Sequence, residues 1–249
     1  MQITIKGVVE NLLKMKVFIT GITSGLGRAL SEEFLSKGCS VWGIGRRPLK
    51  EPKKNLYYSI CDVRNQIDIK RVYEEMKGKD FIPDVVVLNA GITKDDLVPE
   101  LSYSISREIF EVNLFGVINW INIFLPVYLR KGKGIFVGIS SLSAYRVTNI
   151  NKVAYPASKA ALNMIFQALR VKFTSKGLRF IIFCLGRMGE RKTLFQTTYQ
   201  KAAERIANHI YLNRKKNVVN FPFIPAIITR ISVFFPDIFI SKILSKINK

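Results

Sequence analysis

The chain has 249 residues, 48% apolar and 23% charged, a balance that supplies a folded core and excludes a disordered, collagen-like or disulfide-scaffold protein. Its 39 Lys and Arg against 18 Asp and Glu leave a net charge of +21, which invites an anionic partner: a phosphorylated ligand, an acidic lipid surface or nucleic acid. Cys39, Cys61 and Cys184 form no C-x-x-C pair and read as reduced thiols of a cytosolic protein. With His209 the only histidine, no metal site is expected.

Residues 1–14 carry Lys6 and Glu10 and no long apolar run, so they do not read as a secretory signal. Met15 stands directly before the first strand. Residues 1–14 are therefore expected to be an extension, with Met1 and Met15 both open as the start.

From Met15 the chain alternates. Met15–Thr20 is a short β-rich run that ends in a glycine-rich turn. Leu26–Lys37 has helical spacing, with Gly38 placed to stop it. Ser40–Ile44 and Leu56–Ile60 read as strands, Gln66–Lys77 as a charged amphipathic helix, and Asp84–Asn89 as a buried strand. Val112–Leu129 holds 18 consecutive uncharged residues, long enough to span a bilayer. Asn113, Gly116, Asn119, Asn122 and Pro126 within it favour a buried or oligomer-interface helix. Two more strands, Gly134–Ser140 and Arg179–Leu185, flank a helix from about Ala154 to Ser175. Strands alternating with helices predict an α/β fold, a doubly wound parallel sheet of Rossmann-like form, over residues 15–220.

Three groups of residues carry chemistry. Thr20-Gly21-Ile22-Thr23-Ser24-Gly25-Leu26-Gly27 joins a strand to a helix; glycines there let the backbone approach a pyrophosphate, which the helix N-terminus then faces with free N–H groups. At the end of the second strand, where an acid would hold a ribose hydroxyl, stand Arg46 and Arg47. Their guanidinium groups suit a 2′-phosphate, which favours NADP(H) over NAD(H). Tyr155 and Lys159 lie four residues apart and share a helix face. An ammonium there is expected to draw the phenol pKa below its usual value near 10.

Together these residues resemble the short-chain dehydrogenases/reductases. Thr20–Gly27, Asn89-Ala90-Gly91, Asn113, Ser140-Ser141 and Tyr155-x-x-x-Lys159 stand in that family's order and spacing over Met15 to Gly186. The resemblance implies an oxidoreductase that interconverts a carbonyl and an alcohol by hydride transfer. It implies Tyr155 as general acid/base, Lys159 as its partner on the nicotinamide ribose, Ser141 orienting the carbonyl and Asn113 holding a relay water. It also implies Asp62 and Val63 against adenine, and Asn89, Ala90 and Gly91 along the cofactor beside Gly21, Thr23, Ser24, Gly25, Leu26 and Gly27. Three departures stand out. Ser141 precedes Tyr155 by 14 positions, one more than expected, which leaves Ser140 and Ser143 as competitors. Leu185-Gly186 replaces Pro-Gly, and Glu190 replaces a threonine. A non-catalytic nucleotide-binding sensor or scaffold of the same fold is the rival reading, and Tyr155, Ser141 and Lys159 argue against it. His209 is expected on a helix surface, and Trp42 and Trp120 in the core or an interface.

From Arg191 onward eleven Lys and Arg face two acids, Glu204 and Asp237. Residues 186–211 are expected to close over an apolar substrate, lined by Leu194, Phe195 and Tyr199. Residues 221–249 form a basic amphipathic C-terminal extension. Ile227, Ile228, Ile231, Phe234 and Phe235 share one face; Phe239, Ile240, Ile243, Leu244 and Ile247 share the next, with Lys242 and Lys246 opposite. Two readings stand level for these faces: contact with an anionic membrane, placing the protein at the inner face of one, or packing on the domain or a second subunit. A homodimer or tetramer, a small and lipophilic carbonyl or alcohol substrate, and no specific nucleic acid complete the expectation.

Overall fold

The structure is a computed structural model that describes residues 15–49, 51, 53–191, 193, 196–239 and 241. The expected extension at 1–14 lies outside the described residues. So do Leu194, Phe195, Ile240, Lys242, Ile243, Leu244, Lys246, Ile247 and Lys249.

Seven parallel strands form one sheet in the order β3-β2-β1-β4-β5-β6-β9. They are β1 (Lys16–Thr20), β2 (Ser40–Gly45), β3 (Leu56–Ile60), β4 (Val85–Leu88), β5 (Gly134–Ser141), β6 (Leu178–Leu185) and β9 (Val218–Phe221). The central strands are continuous Val, Ile and Phe runs because both faces are covered. Against one face lie α2 (Gln66–Gly78), the continuous helix α3 (Tyr103–Phe110) to α4 (Gly116–Lys131), and α5 (Ala154–Phe173). They meet it around Phe18, Trp120, Phe124, Phe136 and Phe166. Against the other face lie α1 (Gly25–Ser36) and α6 (Tyr199–Tyr211), through Leu30, Phe34, Ala203, Ile206 and Ala207. The strand order reverses between β1 and β4, which opens a crevice at the carboxyl ends of the strands.

The long apolar run of Val112–Leu129 resolves as a core helix. Val117, Trp120, Ile121, Phe124 and Tyr128 are buried against the sheet. Trp42 is in the core as expected.

Three features differ from the sequence expectations. The small parallel pair β7 (Arg187–Gly189) and β8 (Gln196–Thr198) and the strand β9 were not foreseen; β9 pairs with β6 from Ile182↔Val218 to Leu185↔Phe221, so the expected boundary at 220/221 falls inside a strand. Residues 199–211 do not close over the crevice. They form α6, whose Ala202, Ala203, Ile206 and Ile210 are buried against α1, leaving only Tyr199 on the crevice side. His209 is buried rather than on the surface: its Nε2 meets the Lys216 carbonyl at 2.7 Å, and its ring stands edge-on to Phe183. Among the described residues, the apolar face of 221–235 points outward from α7 (Phe223–Ser232).

Candidate active site

A cleft of about 770 Å³ runs along the carboxyl ends of β1, β2, β3 and β4. Its floor is the glycine turn. Gly21 sits at φ +76°, a conformation other residues resist, and a Cβ on Gly27 would collide with the Gly21 carbonyl oxygen. The turn is tied to the neighbouring strand. Asn89 and Ala90 donate their N–H groups to Thr20 Oγ1 at 3.0 and 2.9 Å, and Asn89 Nδ2 donates to the Thr20 and Gly21 carbonyls at 3.0 and 3.2 Å. α1 starts without a side-chain cap at Ser24 and without an acid in its first turn, so its leading N–H groups stay available to a ligand in the cleft.

Every cofactor-side residue expected from sequence between Gly21 and Gly91 lines this cleft: Gly21, Thr23, Ser24, Gly25, Leu26, Gly27, Arg46, Arg47, Asp62, Val63, Asn89, Ala90 and Gly91. Arg46 and Arg47 are exposed at its rim, and the Tyr58 hydroxyl donates to the Arg47 carbonyl oxygen. Asp62 is clamped by Arg64, with Nη2 to Oδ2 at 2.6 Å. That bond holds its carboxyl below the usual range against the opposing effect of partial burial. The residue set fits a dinucleotide: a backbone cradle that a Cβ would fill, a free helix N-terminus and two cations at the far rim.

Past Gly91, outside the residues that line the cleft, the catalytic candidates converge. β5 delivers Ser140 and Ser141. Ser140 Oγ turns back to the Lys159 carbonyl at 3.3 Å, so it does not compete for the site. Ser141 Oγ accepts from Ser143 N at 3.1 Å and Ser143 Oγ at 2.8 Å, which places Ser143 behind Ser141. Burial raises the Tyr155 phenol above its ordinary value, opposed by a hydrogen bond with Ser141. This corrects the expectation of a lowered phenol. Lys159 is itself buried, its Nζ 5.9 Å from the Tyr155 ring centre and bonded to the Ile139 carbonyl at 2.9 Å. Burial pulls its pKa down to about 8, with a small opposing effect from Cys184.

Asn113 lies in a single π turn, Glu111–Phe115, between α3 and α4. Such a turn re-aims side chains within an otherwise regular helix. Here it sends Asn113 to Ile92, accepting from its N at 2.7 Å and donating to its O at 2.9 Å, and to Ser158 Oγ at 3.2 Å. A Cβ on Gly91 would lie 3.2 Å from Asn113 Oδ1 and 3.4 Å from Lys159 Nζ, so that glycine is where the cofactor stretch and the catalytic groups meet.

Sequence reasoning missed Asp96. It is buried, accepts from Val153 N and Ala154 N at 2.8 Å each and from Ser106 Oγ at 2.9 Å, and so fixes the start of the helix that carries Tyr155. Nothing local in the sequence marks it as a cap 58 positions away from the Ala154 N–H that donates to it. Tyr199, expected as an apolar lining residue, is a wall of the cleft and packs 3.5 Å from a Cβ position on Gly25; Met188, not singled out from sequence, is a second wall.

The short chain dehydrogenase profile matches residues 15–200. The chain belongs to that family of oxidoreductases. A 3-oxoacyl-acyl-carrier-protein reductase of Buchnera aphidicola is 25% identical to it over 82% of this chain and 82% of the relative. An uncharacterised oxidoreductase of Staphylococcus saprophyticus is 29% identical over 65% and 73%. Among solved structures, a Leptospira borgpetersenii short chain dehydrogenase with bound NAD+ superposes with a TM-score of 0.81 at 17% identity, covering 91% of this chain and 98% of its own. A Burkholderia cenocepacia family member in complex with NADP reaches 0.79 at 20% identity, over 92% and 98%. At those identities the two structures bear on the fold alone, and the family fold is the one described above.

Proposed function

We propose that this short chain dehydrogenase interconverts a carbonyl and a secondary or primary alcohol with NADP(H), Tyr155 exchanging the proton. The observation that carries the reading is the convergence of Ser141, Tyr155 and Lys159 beside Gly91, which lines a cleft that presents Arg46 and Arg47 and no acid in their place. The nicotinamide supplies or takes the hydride when bound. The chain does the rest. Ser141 Oγ is positioned to donate to the substrate oxygen and set its distance from Tyr155. With its pKa raised by burial, the Tyr155 phenol is protonated at neutral pH, the state an acid needs for carbonyl reduction. The Lys159 ammonium, close under the ring, favours the phenolate left after transfer and is placed for ribose hydroxyls. Asn113, already anchored on Ile92, is positioned to hold a water that re-protonates the pair. A pure sensor would need none of these groups, and this favours an enzyme over the scaffold reading.

Arg46 and Arg47 support NADP(H) because two exposed guanidinium groups offer paired, charge-assisted bonds to a 2′-phosphate. Three buried thiols support a reducing compartment, and we place the protein in the cytoplasm as a homo-oligomer. The test is a panel of carbonyl substrates followed at the nicotinamide absorbance with NADPH and NADH in parallel. Tyr155→Phe should lose turnover by about a thousandfold or more while still binding cofactor, since an acid/base group supplies on the order of 10² to 10⁴ and substrate alignment the rest. Turnover near that of the unaltered protein would sink the assignment. Arg46→Ala with Arg47→Ala should weaken NADPH by about 2–3 kcal/mol and leave NADH nearly unmoved. A natural preference for NADH would overturn the cofactor reading.

A further inference from the structure

α7 is built inside out. The residues it turns toward the domain are small: Ala226 is 5% exposed and Thr229 9%, with Pro225 and Ser232 half-buried beside them. The residues it turns outward are large and apolar. Phe223 is 72% exposed, Ile224, Ile227, Ile228 and Ile231 stand with it, and Phe234 just beyond the helix is 87% exposed. A helix that covers its own core does the reverse. Nor is this a scattering of single exposed residues, because Phe235, Ile238 and Phe239 extend the same patch.

The patch has a fixed place. α7 follows the carboxyl end of β9, the edge strand beside β6. It is pinned to the segment that follows Ser141: the Arg230 guanidinium lies 5.4 Å over the Tyr145 ring, and Arg146 donates to the Phe235 carbonyl at 2.8 Å and pairs with Asp237 at 2.8 Å. Further along that segment the side chains of Val147, Ile150 and Val153 are exposed as well. Leu97 and Val98 join it from a loop bonded to Asn151. An apolar collar thus borders the substrate side of the site.

We propose that this collar, led by α7, docks the protein on an anionic phospholipid bilayer with the substrate mouth turned toward the lipid. Charge complements this occupant: the chain carries +21, which acidic headgroups attract. The one acid in residues 221–249, Asp237, is already paired with Arg146, and the sequence beyond residue 241 adds Lys242, Lys246 and Lys249 among Ile243, Leu244 and Ile247. Face-to-face pairing of copies would moreover cover the mouth that substrate must use. Docking also narrows the substrate class to lipophilic carbonyls or alcohols dissolved in the membrane. That consequence rests on the proposed activity; the docking does not.

The test uses the full chain in flotation with phosphatidylglycerol/phosphatidylcholine vesicles and with phosphatidylcholine alone, at low and high salt. The protein should float with the acidic vesicles at low salt and lose about fivefold in affinity for each cation screened. Phe234→Ser with Phe235→Ser should cut binding by about tenfold or more while the melting temperature and turnover of a small water-soluble carbonyl stay in place. Phe234→Trp should shift its emission to the blue on acidic vesicles, read against Trp42 and Trp120, which are both buried. Tyr155→Phe should float like the unaltered protein, so an inactive enzyme that still floats condemns the activity and not the docking. No flotation at low salt overturns the proposal, as does binding that ignores the double serine variant. Conversion of a dimer to monomer by that variant, without any vesicle effect, assigns the face to a second copy.

Discussion

Two apolar helices in this chain meet opposite fates. The helix of α3 and α4, residues 103–131, is long and apolar enough by length and composition to cross a membrane, yet it points Trp120, Phe124 and Tyr128 into the core. α7 is shorter and carries no acid, and it turns Ala226 and Thr229 inward and its isoleucines outward. Apolar content alone therefore says nothing about which surface a helix covers. What separates the two is which residues face the sheet: aromatic rings that stack 4.4 to 5.8 Å apart in the first case, small side chains that only permit approach in the second.

The contrast can be broken by measurement. Trp120→Ala removes a fully buried ring packed between Phe18 and Phe124 and should cost about 3–5 kcal/mol in denaturant unfolding. A cost near zero would mean that α4 is not the core helix described. Charge offers the next test. Lys159 is buried with its pKa pulled down to about 8, whereas Arg230 is exposed. Between about pH 8 and the ordinary lysine value near 10.5 the unfolded chain holds more protons at Lys159 than the folded one, so stability from this group rises with pH across that window. Below it, the buried ammonium costs on the order of 3 kcal/mol. The stability of Lys159→Met relative to the unaltered protein should accordingly be most favourable near pH 7 and decline by pH 10. A flat difference for Lys159→Met would place that ammonium in water. The smallest effect belongs to α7: Phe234→Ser should change folding stability by no more than about 0.5 kcal/mol, as a surface substitution does. A loss above 2 kcal/mol would show that Phe234 is covered within its own protomer.

The same contrast explains what was legible in the sequence. The central strands β1, β4, β5 and β6 could be read because parallel strands buried on both faces are rich in Val, Ile and Phe, and the glycine turn, Ser141, Tyr155 and Lys159 because their spacing is local. α6 escaped because its buried face is largely alanine, Ala202, Ala203 and Ala207, a weak apolar signal beside Lys201, Glu204 and Arg205. β9 escaped because four residues ahead of a proline look like a loop until β6 supplies the pairing. Asp96 was invisible for another reason: its role depends on Val153 and Ala154, which only the fold brings to it. The π turn that aims Asn113 leaves no mark in composition. The raised phenol of Tyr155 depends on burial, which a Tyr-x-x-x-Lys spacing does not encode.

The bonds from Asn89 and Ala90 to Thr20 and Gly21 have a thermodynamic consequence. They hold the phosphate turn from a strand at the centre of the sheet, one of the segments least prone to local opening. Ordering entropy for the turn is then spent once, during folding, and not again at each binding event. Cofactor exchange becomes the docking of a ligand on a finished template, with association paced by diffusion and charge instead of by loop closure. Asn89→Ala would move that entropic cost from the folding reaction to the binding reaction, seen as a less favourable binding entropy with the same phosphate contacts.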